Sequence, residues 1–140
     1  MCLYLTKQNK EPKMAEKPIE CYKLVLSNHA AMVTPFIYYP VVLGRVVNAS
    51  PKDPVVKDAK CRDARSRYKF YVTLGTIHTF KTIEGAKKIA RMVFRCEKVA
   101  IVKCTIPTGS LYFEGAFDDT GIQCYASTSV RYWKKIVYKK

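Results

Sequence analysis

Long apolar runs are missing from this 140-residue chain, and none approaches the ~20 residues that a membrane-spanning helix needs. Met1 to Lys7 holds no extended apolar stretch before charge sets in, so no export signal is read there. Glycine is scarce: six residues stand singly, and neither the dinucleotide-binding nor the phosphate-loop spacing occurs. The only two histidines, His29 and His78, have no ligand-type residue at metal spacing, and the nearest cysteines, Cys96 and Cys104, lie well beyond the ~2–4 residues of a structural zinc pair. No metal and no cofactor are expected. Acidic residues are also few, 11 against 25 Lys and Arg, which leaves a formal charge of +14. That balance excludes an acidic mimic and favours anionic partners. No complete catalytic constellation is visible. The thiols share no local pattern with either histidine, and Asp118-Asp119 reads as a turn rather than as paired acids. The expectation is a non-enzymatic protein.

What is present is core material. Hydrophobic residues make up 49% and aromatics 12%, which is enough for one domain with a genuine core and too much for a disordered chain. The six cysteines, Cys2, Cys21, Cys61, Cys96, Cys104 and Cys124, are read as free thiols of a reducing cytoplasm, because a chain this apolar needs no disulfide framework.

Residues 1–20 mix lysines with glutamates and carry Pro12 and Pro18, so they read as an extended arm whose apolar tip, Leu3-Tyr4-Leu5, docks elsewhere. Residues 21–140 read as a single globular domain. Cys21–Leu26 is the first core strand, and Ser27-Asn28-His29 is a turn. Met32–Val42, interrupted by Pro35 and Pro40, is an edge or bent strand. The prolines and dense charges of 48–67 mark a long surface loop. Tyr68–Leu74 and Val99–Ile106 are strands, the second so continuously apolar that a central position is expected. Asp118-Asp119-Thr120-Gly121 closes a hairpin, and Val130–Tyr138 alternates as a last strand. The one convincing helix spans about Ile83–Arg95, with Thr82 as N-cap and a stripe of Ile83, Ala86, Ile89, Ala90, Val93 and Phe94. The sum is an α+β fold: seven to nine short strands in a curved, mostly antiparallel sheet with one main amphipathic helix.

The charge is concentrated. Residues 61–100 carry ten basic and three acidic side chains, a net of +7 and half the surplus. Arg62, Arg65, Arg67, Lys88, Arg91 and Arg95 come from that segment. Arg131, Trp133, Lys134 and Lys135 follow on the last strand, where cations interleave with aromatics in the mix that tracks a phosphate backbone and stacks bases. The bland alternative is a solvated edge strand whose lysines prevent aggregation. These ten residues form the candidate surface for nucleic acid or an acidic protein surface, with self-assembly open and no membrane contact expected.

Two resemblances bear on this. Ser127-Thr128-Ser129 resembles the Ser-Thr-Ser element of ADP-ribosyltransferases. The pattern then fails: no Glu follows Ser129, and Lys23 occupies the first strand where an Arg would be expected. That likeness implies at most a catalytically dead or divergent domain. More broadly, Cys21-Tyr22-Lys23, His78 with Phe80, Val102–Gly109, Tyr112–Gly115 and Tyr125-Ala126-Ser127 resemble small uncharacterised proteins of Bacteroidota bacteria and their bacteriophages. This implies a phage-associated binding protein, or a structural or accessory component of a particle, located in the host cytoplasm or the virion.

Overall fold

In the computed structural model, residues 3–28, 31–33, 41–49, 54–59, 67–72, 75–117 and 120–136 are described. They form strands β1 (Leu3–Thr6), β2 (Lys13–Met14), β3 (Ile19–Asn28), β4 (Ala31–Val33), β5 (Val46–Asn48), β6 (Val56–Asp58), β7 (Tyr68–Val72) and β8 (Ile77–Phe80). Helix α1 (Ile83–Val93) follows, then β9 (Val99–Ile106), β10 (Leu111–Phe117), β11 (Ile122–Ser127) and β12 (Ser129–Ile136). The strands make one sheet in the order β5-β12-β9-β3-β8-β11-β10-β1-β7-β6, with β2 on β10 and β4 on β3. Every pairing is antiparallel. With one helix, this is the expected α+β class.

The described residues carry 12 strands, more than the seven to nine expected. The surplus consists of two- and three-residue pieces such as β2 and β6, too short to show any alternation. β6 lies inside the segment read as a charged loop and pairs with β7. Ser27 and Asn28, read as a turn, extend β3 instead and pair with β4. The tip of the supposed arm is also sheet. Leu3–Thr6 lies between β10 and β7, with Leu3 and Leu5 buried. Its entry explains Gly115, which sits in mid-strand. A Cβ there would land on the Tyr4 carbonyl oxygen and 2.9 Å from Leu3 Cγ. β9 runs between β12 and β3 with apolar side chains buried on both faces, which accounts for its unbroken apolar pattern.

Helix α1 begins where Thr82 Oγ1 accepts the Gly85 N–H at 3.1 Å. Ala86, Ile89 and Ala90 are buried against the sheet, joined by Phe94 just past the last turn. Val93, assigned to that stripe from the sequence, is 48% exposed. The helix ends there, and Phe94, with φ −112° and ψ 42°, leaves helical geometry and takes the core position itself. Burial of a side chain such as Ile89 stabilises the fold by about 1.5–3 kcal/mol before entropy is counted.

The helix packs on β3, β8 and β9, on the face that carries Leu24, Leu26, Val99 and Ile101. The opposite face holds a second core of Cys21, Val25, Val102, Cys104, Tyr125, Val130 and Tyr132.

Candidate functional site

Two groups of reactive or charged side chains stand out, one inside and one outside. The inner group lies within the sheet, with Lys23, Cys21 and Cys104 on the face away from α1 and Cys124 on the helix-bearing face. Lys23 is buried there, and its ammonium donates to the His78 carbonyl oxygen at 2.7 Å. β3 and β8 pair only at Tyr22 and Phe80, so the lysine fills the place where the ladder between them opens. Burial pushes Lys23 down to about 8, only partly countered by the thiols of Cys104, Cys21 and Cys124. Burial, and then the Lys23 charge, push His78 down to about 3. Cys21 and Cys104 face each other across β3 and β9. Burial above all holds the Cys104 thiol protonated, and burial pushes Cys124 up to about 12. The three thiols are 0–2% exposed, closed off from solvent inside the sheet. The cluster is a cost of the fold borne inside the sheet.

The outer group is built by register. Residues directly opposite in an antiparallel ladder share a face. Val46 lies opposite Arg131, Arg131 opposite Thr105, and Thr105 opposite Glu20, which makes one row across β5, β12, β9 and β3. The next row is Lys134, Lys103 and Tyr22. Between the rows β12 shifts register, and Trp133 is the extra residue. The bulge overturns the simple alternation read from the sequence. Val130, Tyr132 and Lys135 point to the face away from α1, while Arg131 and Lys134 share the helix-bearing face. Lys135 accordingly reaches Ser27 Oγ at 3.4 Å, on the opposite side from Lys134.

Trp133 is held in place. Its Nε1–H donates to Thr105 Oγ1 at 2.9 Å, and the Arg131 guanidinium lies 4.1 Å from the ring centroid. The indole is still 44% exposed. Arg131 Nε is buried with no hydrogen-bond partner, and among the described residues no carboxylate pairs with Arg131. Lys103 pairs with Glu20 at 2.9 Å, and that contact raises its pKa. Asn48 and Ser129 hydrogen-bond side chain to side chain at 2.6 Å and extend the same face.

The other residues expected at the site are distributed as follows. Lys88, Arg91 and Arg95 are exposed on α1 or just beyond it, on the same side of the sheet as Arg131 and Trp133. Arg67 is not with them. It precedes β7, which six strands separate from β12, and stacks on Tyr68 at 5.1 Å from the ring. Arg62 and Arg65 lie outside the described residues. Lys135 is on the wrong face. Sequence reasoning missed Lys103 and Thr105, although both were signalled as the two polar interruptions that share one face of an otherwise apolar strand.

The Ser127-Thr128-Ser129 hydroxyls serve the β11–β12 corner. Ser127 donates to the Ser129 carbonyl oxygen, and Thr128 Oγ1 accepts the Leu111 N–H. A groove of about 470 Å³ lies elsewhere, floored by Phe70 and Phe113 and rimmed by Lys10, Glu11 and Asp58, one cation against two carboxylates. Among the described residues no group of three or more His, Cys, Asp or Glu could hold a metal ion, and no helix is long and apolar enough to cross a membrane. No family model, curated protein or solved structure matches the chain.

Proposed function

We propose that this chain is a non-enzymatic nucleic-acid-binding protein that uses the helix-bearing face of its sheet. The observation that carries the reading is Arg131, a cation with a buried and unpartnered Nε, stacked on an exposed, hydrogen-bonded Trp133 beside Lys134. Arg131 is half-buried and no carboxylate among the described residues pairs with it, and a phosphate fits the fork of a guanidinium. The exposed cations of α1 add breadth on the same side. The phage-type sequence resemblance is compatible with such a role.

The test is a titration of single- and double-stranded oligonucleotides at 50 and 200 mM salt. About six phosphate contacts give a log–log slope of roughly −4 to −5, which is a loss of affinity of about 250- to 1,000-fold over that range. Absence of binding to either at the lower salt refutes the proposal.

One observation favours a second reading, a structural or accessory component of a phage particle. Val42, Leu43 and Val46 are 42–50% exposed along the β5 edge, where a neighbouring subunit could dock. A strictly monomeric protein at high concentration would count against it.

A further inference from the structure

We infer that the surface around Trp133 takes single-stranded nucleic acid, with one unstacked base on the indole and an adjacent phosphate on Arg131. The inference rests on the nucleic-acid reading above and narrows it.

The bulge makes Trp133 the extra residue of β12, and among the described residues it is the one exposed aromatic, with the Arg131 guanidinium on its ring and the others buried or half-buried. The ring is already oriented by Thr105 and Arg131, so little rotamer entropy remains to be lost when a flat partner arrives. Base–aromatic stacking of this kind contributes about 1–3 kcal/mol per base and needs a free π-face. Paired and stacked bases in a duplex do not offer one.

Arg131 supplies the second half. Its stack on the indole orients the guanidinium, whose planar fork of N–H donors suits a phosphate better than the point charge of a lysine does. Lys134 lies in the adjoining row, within reach of a neighbouring phosphate. Glu20 does not oppose this strongly, because Lys103 already holds its carboxylate. The rows are an open platform rather than a pocket, which suits a polymer that enters and leaves across strand edges.

Trp133 is the sole tryptophan, so intrinsic fluorescence reports on this site alone. A short oligodeoxythymidylate, its duplex with oligodeoxyadenylate, and inorganic polyphosphate are each titrated at low salt. The single strand should quench Trp133, while duplex and polyphosphate should bind more weakly and without quenching. With a labelled oligodeoxythymidylate, Trp133→Ala should weaken binding about 5- to 150-fold, the range that stacking of one base implies, and Trp133→Phe should recover part of it. Binding of the single strand without quenching, or duplex binding of equal strength, overturns the inference and leaves the broader reading intact. Failure of all three probes to bind overturns both.

Discussion

Replacing Lys23 by Met removes a charge that the sheet holds at a disadvantage, and the size of that disadvantage follows from the structure. The Lys23 ammonium is buried with the His78 carbonyl as its hydrogen-bond acceptor, and burial lowers its pKa from 10.5 to about 8. For a base with a depressed folded pKa, the unfolded chain binds more protons between those two values, so stability rises with pH across that window. Below pH 8 the lysine is charged in both states, and the folded protein carries the whole penalty, about 3 kcal/mol. By pH 10 about 2 kcal/mol of it has gone. The substitution also leaves the His78 carbonyl without its donor, at a pH-independent cost of about 1–3 kcal/mol. Lys23→Met should therefore be as stable as the parent or up to about 2 kcal/mol more stable at pH 7, and should lose about 2 kcal/mol relative to it by pH 10. Urea unfolding of both proteins under reductant at pH 7, 8, 9 and 10 measures this difference, and the titrations of tyrosines and thiols that both share largely cancel. A difference that stays constant within about 0.5 kcal/mol would show that Lys23 is solvated and that β3 and β8 are not held apart as described.

Gly115→Ala should destabilise the protein by about 1–3 kcal/mol or more, because the added methyl meets backbone rather than a movable side chain; thermal denaturation reads this, and a neutral result would mean that β1 does not lie against β10 there. Phe94→Ala should cost about 3–5 kcal/mol, whereas Val93→Ala should stay within about 0.5 kcal/mol, as urea titration would reveal. Under native alkylation Cys96 should react at once, while Cys21, Cys104 and Cys124 wait for unfolding; peptide mapping by mass spectrometry distinguishes them, and prompt labelling of Cys104 would contradict the buried pairing with Cys21.

The parts of the fold legible in the sequence were those with a sustained pattern. β9 shows its central position through its apolar run, α1 through its N-cap and apolar spacing, and the β10–β11 hairpin through Asp118–Gly121. Short edge strands were not legible, because two or three residues carry no period. β1 was hidden by the charges and prolines that follow it, although its own Leu3 and Leu5 already alternate into the core. Trp133 and the cations of β12 were recognised as a mix, but not their facing. A bulge is a property of pairing, and nothing in Tyr132-Trp133-Lys134 alone announces it. That single inserted residue moves Lys134 to the side of Arg131 and leaves Lys135 behind.

Those adjacent lysines provide the most direct test of the central claim, since they have the same charge and the same strand and differ in face. Oligonucleotide affinity is measured against salt concentration for the parent, Lys134→Gln and Lys135→Gln. If nucleic acid binds on the face of Arg131 and Trp133, Lys134→Gln should flatten the log–log slope by about one unit and Lys135→Gln should leave it unchanged. Equal flattening by both variants, or a larger effect from Lys135→Gln, would contradict it.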